Sequence, residues 1–110
     1  MNIFENYLTK INKLILKKKD ALNLYNMDNI NSINLEVPPD QFNYDLSTNI
    51  SLVLSKANNL KPNILANEIK ELFLENIEDF EKVEVAGPGF LNIKLSMNGI
   101  ISNINDILKN

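Results

Sequence analysis

Apolar residues at Ile3, Tyr7, Leu8, Ile11, Leu14 and Ile15 recur at the three- and four-residue spacing of one helical face, with Lys10, Lys13 and Lys17 to Lys19 off that stripe. The spacing predicts a first amphipathic helix. The period then shortens to two. In INLEV, Ile33, Leu35 and Val37 share one face, and Pro38-Pro39 ends the run because proline has no N–H to give a ladder. QFNYDL alternates Phe42, Tyr44 and Leu46 with Gln41, Asn43 and Asp45, which predicts a second strand. Ser47 reads as the N-cap of a helix with Ile50, Val53, Leu54 and Ala57 on one face. Pro62 suits the first position of a third helix carrying Leu65, Ile69, Leu72 and Phe73. ENIEDFEK reads as a solvated acidic stretch that returns the chain to the sheet.

The clearest pattern lies in EKVEVAGPGFLNIKLS. Val83 and Val85 alternate with Lys82 and Glu84, and Leu91, Ile93 and Leu95 alternate with Phe90, Asn92 and Lys94, so two strands meet at Gly-Pro-Gly. Ser96 caps a last helix with Met97, Ile100, Ile101, Ile104 and Leu108. The sum is one domain over residues 1–110 of the α+β class, with about four helices and a four-stranded, mainly antiparallel sheet in the order α-β-β-α-α-β-β-α. Its halves share an order of elements but their residues do not match.

Composition narrows the chemistry. The chain has 110 residues, 45% of them hydrophobic, enough for a core without staples. It has no cysteine and no histidine, which excludes disulfides, thiolate metal sites and any Ser-His or Cys-His arrangement. Its apolar runs are short and interrupted, so no membrane partner is expected, and a soluble, cytoplasmic protein is. The net charge is −3 and the 11 basic residues are all lysine, where a chain built to grip phosphates is usually basic and rich in arginine. DNA is therefore not expected as a partner, and any contact with RNA should be weak and local. The abundance of Asn, Ile and Lys reflects a coding bias, so a single asparagine carries little weight. AGPGF lacks the Lys-Ser/Thr of a phosphate-cradling loop, and Glu75, Glu78, Asp79 and Glu81 fit no calcium loop. No catalytic residue, metal ligand or cofactor is assigned to this chain.

The hairpin is the exception. If Leu91, Ile93 and Leu95 face the core, then Phe90, Asn92 and Lys94 stand outward in a row. A flat ring, an amide that donates and accepts, and a cation at two-residue spacing suit one extruded base through stacking, edge recognition and a nearby phosphate. Gly87 and Gly89 allow close approach to the turn. The alternative is that Phe90 packs under a helix or beside a cross-strand partner.

KVEVAGPGFLNIKLS resembles the hairpin of the N-terminal additional domain of arginyl-tRNA synthetase, a class I ligase, where a valine-rich strand, a glycine turn and an aromatic-x-Asn strand recur in this order. YDLSTNISLVLSKANNLKPNILANEI is similar to the same domain's Gly-Asp-aromatic-x-Thr-Asn segment, its apolar helix and the Asn-Pro opening the next helix. The resemblance covers roughly residues 33 to 96. It departs at Tyr44, where the family usually has glycine, and at Leu46, where it has an aromatic. Asp45, Thr48 and Asn49 do match, and their reading here is turn formation and helix capping.

The resemblance implies a non-catalytic domain that contacts the elbow and D loop of the arginine tRNA. Phe90 would stack on a base, typically an adenosine, Asn92 would read its edge, and Lys94 would contact a phosphate, beside Gly87 and Gly89. It also implies that ATP is used elsewhere, by a catalytic domain of the same polypeptide that this histidine-free chain does not contain. An anticodon-binding domain is likewise absent. The competing reading is a stand-alone interaction module docking a partner through its sheet face or lysine-rich first helix. An RNA-binding sheet domain of the RRM type has a different order of elements.

Overall fold

In the computed structural model, which describes residues 2–109, α1 runs from Ile3 to Lys18. Asn2 opens it by accepting the Glu5 N–H at 2.9 Å, and Lys17 and Lys18 lie in the last turn, where cations complement the helix dipole. Tyr7, Ile11 and Ile15 are buried, as their spacing predicts. A loop and a 3-10 turn, Ile30–Ser32, lead to β1 (Leu35–Glu36), followed by β2 (Leu46–Thr48), α2 (Ile50–Asn58) and α3 (Pro62–Asn76). The hairpin strands are β3 (Phe80–Ala86) and β4 (Phe90–Leu95), and α4 spans Met97–Lys109. Pro62 starts α3, and the Ser96 hydroxyl accepts the Gly99 N–H at 3.0 Å at the start of α4, both as expected.

The sheet is ordered β1-β2-β4-β3 with every neighbouring pair antiparallel. This agrees with the predicted class and element order. Leu46, Ile93 and Val83 form one rung and Thr48, Leu91 and Val85 another, all turned toward the helices. The buried side chains Ile50, Leu54, Leu65, Ile69 and Phe73 from α2 and α3 close the core against them. Burying each large aliphatic or aromatic side chain contributes roughly 1.5–3 kcal/mol, so this single cluster is the main source of stability.

Several expectations from the pattern are corrected. The second strand is not QFNYDL, because Asp40 holds residues 40–43 in a turn: its carboxylate accepts the Asn43 N–H at 3.2 Å and the Asn43 amide at 2.8 Å, and its carbonyl accepts the Tyr44 N–H. Phe42 is accordingly 95% exposed, while Tyr44 and Leu46 are buried. Pairing begins only at Leu46, so Ser47 is a strand residue and Asn49 takes the position before α2. β1 is correspondingly shorter than INLEV. The segment read as a solvated acidic stretch is in part a packed corner. Ile77 and Phe80 are buried, with the Phe80 ring 5.5 Å from both Tyr7 and Phe73. Asp79 accepts the Tyr7 hydroxyl at 2.8 Å and pairs with Lys10 at 3.6 Å. The direction of the apolar face of α4, which the pattern left open, is set by the structure. Ile100 is half-buried, but Met97, Ile101, Ile104 and Leu108 are exposed.

Candidate nucleic-acid interface

Alternation along β4 sets the site. Leu91, Ile93 and Leu95 are buried, which turns Phe90, Asn92 and Lys94 to the face opposite the helices. Across that face Glu36, Ser47, Asn92 and Glu84 line up on one rung, from edge strand to edge strand. Lys94 stands opposite Lys82 on the next outward rung.

The face is divided in two. Tyr44 covers one half, its hydroxyl bonded to the Glu84 carboxylate and the Lys82 ammonium 5.6 Å from its ring centre. The other half is open. A cavity of about 360 Å³ lies there, with Phe90, Asn92 and Ser47 on its sheet side and Val37, Pro39 and Gly87 among its walls. Phe90 is 37% exposed, so its ring is held by packing yet offers a face. Glu36 also lines the cavity, and its carboxylate favours a ligand edge that carries an N–H donor over one that carries a phosphate.

The two glycines of the turn do different work. Gly87 has φ +56 and lines the cavity, and a Cβ there would meet nothing within 4 Å, so a ligand can come close to its backbone. Gly89 has φ +134 and is buried, and a Cβ would lie 3.0 Å from the Pro62 Cβ. Its missing side chain lets the turn pack on the start of α3. Lys94 is not in the cavity wall. Its ammonium lies 3.5 Å from the Glu81 carboxylate, both side chains about half exposed, and such a pair is worth only about 0–1 kcal/mol. The lysine can leave it for another anion.

Of the turn formation and helix capping expected of Asp45, Thr48 and Asn49, only Thr48 makes such a local bond; Asp45 and Asn49 tie together segments distant in sequence, and Asn49 makes no side-chain cap bond to α2. Asp45 accepts the Leu95 N–H at 2.8 Å and its own N–H binds the Ile93 carbonyl, so it fastens β2 to β4. Thr48 accepts the Ile50 N–H at 3.2 Å. Asn49 accepts the Asn34 N–H and donates to the Ser32 carbonyl, which ties the loop before β1 to α2 and so holds the cavity's outer wall. Sequence reasoning did not foresee Ser47 and Glu36 as neighbours of Asn92. Their register depends on the Asp40 turn, which no period announces. Among the described residues no group of His, Cys, Asp or Glu is arranged to hold a metal ion, and no helix is long and apolar enough to cross a membrane.

The chain is thus an α+β domain with helices on one sheet face and an open aromatic-amide cavity on the other. Comparison with known proteins gives its family. Residues 6–95 match the family described as the arginyl tRNA synthetase N terminal domain, and the chain belongs to that family. It is 42% identical over 108 residues to the arginine–tRNA ligase of Pelagibacter ubique, covering 96% of this chain and 19% of that protein. It is 42% identical over 100 residues to the ligase of Bartonella tribocorum, 87% of this chain and 16% of that one. To the ligase of Rickettsia bellii it is 38% identical over 88 residues, 79% and 15% respectively. The chain thus spans under a fifth of the length of these relatives.

Proposed function

We propose that this domain contacts the elbow of the arginine tRNA and holds one unstacked D-loop base in the cavity beside Phe90. The observation that carries the reading is the convergence, in one open cavity, of a half-exposed ring, the Asn92 amide and the unobstructed backbone of Gly87. The ring supplies a stacking surface. Asn92 can donate and accept at the base edge, and Glu36 favours an exocyclic amino group, as on adenine. Lys94, released from Glu81, reaches the phosphate side, away from the Glu36 carboxylate. The domain performs no chemistry in this reading. It positions the tRNA for aminoacylation, with ATP, by a catalytic domain of the same polypeptide in the cytoplasm.

A photo-crosslinking amino acid, benzoyl-phenylalanine, placed at position 90 of the full-length ligase tests this. Crosslinks to D-loop nucleotides of the arginine tRNA are expected. Crosslinks confined to the acceptor stem or anticodon, or none under saturating tRNA, would exclude the elbow contact.

A further inference from the structure

α4 is mounted with its polar side inward. Asn103 is buried and donates from its amide to the Tyr7 hydroxyl at 2.6 Å and to the Gly99 carbonyl at 2.7 Å. Gly99 sits so close to Asp79 that an added Cβ would lie 2.9 Å from the aspartate Cβ. The helix is therefore clamped to α1 and to the start of β3 through its smallest and most polar positions. Ile100 is half-buried, and the other described apolar positions of α4 are left outside. Met97, Ile101, Ile104 and Leu108 are 68, 48, 50 and 79% exposed. At 100° per residue these four fall within an arc of about 60°, centred well away from Gly99 and Asn103. A continuous stripe of three turns, made of large aliphatic side chains with no charge among them, has the form of a helix face that docks in an apolar groove.

We infer that this stripe is the seat on which the rest of the ligase polypeptide packs. The family match stops at Leu95, one residue before the capping Ser96. The alignment with the Pelagibacter ligase covers 96% of this chain, leaving out only about four of 110 residues, so it continues into α4. That ligase is more than five times as long as the aligned segment, which covers 19% of it. The stripe therefore lies on the element nearest in sequence to the remaining domains of such a ligase. The partner is an apolar groove or helix pair within those domains. Docking there would fix the cavity beside Phe90 at a set distance from the body of the enzyme. This docking role depends on family membership and not on the base-binding role of Phe90, so either can fail alone.

The test is hydrogen–deuterium exchange on the full-length ligase that carries this domain, with Ile101→Lys/Ile104→Lys against a control pair on the polar flank, Asn98→Lys/Asn105→Lys. Lysine is a good helix former, so at exposed positions it leaves α4 itself intact. In the stripe variant, exchange should rise at least tenfold in α4 and in a second segment beyond residue 110, while α1, β3 and β4 stay protected. The control pair should match wild type. Three results would overturn the inference. The first is unchanged exchange beyond residue 110 in the stripe variant. The second is conversion of a dimer to a monomer by the stripe substitutions, seen in sedimentation, which would make a second copy the occupant. The third is protection of α4 that arises only on adding arginine tRNA, which would make RNA the occupant.

Discussion

Phe90 carries both a packing role and, in the proposed function, a stacking role, and Phe90→Leu separates them. The ring is 37% exposed, so truncation to alanine would remove packing as well as a stacking surface. With roughly 100 Å² of apolar surface lost at about 25 cal/mol per Å², alanine would cost about 2.5 kcal/mol of stability, enough to confuse the outcome. Leucine keeps most of the volume, and hydrophobic swaps of similar volume usually cost under about 1.5 kcal/mol. For a chain of this size that is a fall in melting temperature of about 6 °C or less. What leucine cannot supply is a flat π face. Base–aromatic stacking is worth about 1–3 kcal/mol, and each 1.4 kcal/mol is tenfold, so kcat/KM for tRNA in the full-length ligase should fall about 5- to 150-fold. KM for ATP should stay near wild type. If Phe90→Leu aminoacylates like wild type while Phe90→Ala fails in proportion to its lost stability, then Phe90 is a packing residue and the stacking role is wrong.

Asn92→Ala removes edge reading but leaves the ring. It should lower kcat/KM by about two- to tenfold, the value of one net hydrogen bond of 0.5–1.5 kcal/mol, and flatten discrimination among D-loop base variants; a variant that discriminates as sharply as wild type would remove Asn92 from the recognition set. Asn58 is buried and accepts the N–H groups of Tyr25 and Asn26 at 2.9 and 2.7 Å while donating to the carbonyls of Asn26 and Leu54. Asn58→Ala should therefore destabilise the chain by about 2–4 kcal/mol, a drop of about 8–15 °C by calorimetry, and a shift under 3 °C or so would contradict the accounting of these groups. The Asp40 carboxyl is held below its ordinary 3.8, first by the Asn43 side-chain amide and then by the Asn43 N–H. A carboxyl lowered on folding contributes stability above its unfolded pKa and loses it as pH falls through the folded one, so the 40–43 turn should open only below about pH 4. The Asn43 amide resonances followed by NMR should titrate with a midpoint under 3.8, and a midpoint above that would refute the turn's charge-assisted bonds.

What the sequence disclosed followed its periods. α1, α3 and the hairpin are long enough for the 3.6 and 2 repeats to be unambiguous, and the outward row of Phe90, Asn92 and Lys94 came from alternation alone. Where a hydrogen-bonding side chain overrides the period, the pattern misled. Phe42, Tyr44 and Leu46 alternate as a strand would, but the Asp40 carboxylate captures the backbone first. Asn58 and Asn103 stayed hidden because asparagine is common in this chain, and only burial separates a structural amide from a surface one. The stripe on α4 was visible as amphipathic, but periodicity gives the face and not the direction it points. Gly99 and Asn103, on the other side, decided that. Ser47 and Glu36 entered the site through strand register, which depends on where pairing begins.

The cluster around Tyr7 has a consequence for how the chain is made. Tyr7 donates to Asp79, 72 residues later, and receives from Asn103, 96 residues later. A ribosome adds about 5–20 residues per second, so the first helix is out for several seconds before its hydroxyl can meet Asn103. During that interval the core cluster to which Ile11 and Ile15 belong lacks its members from β3 and β4. The β3–β4 hairpin, whose partners lie close in sequence, can form as soon as it emerges and gives the waiting helix a surface to settle on. α4 is the last described element to be synthesised, and its Asn103–Tyr7 bond joins the two ends of the domain. A nascent chain stalled before Asn103 therefore has a first helix held through Asp79 alone of these two partners, a looser species on which a holdase chaperone or a protease would act.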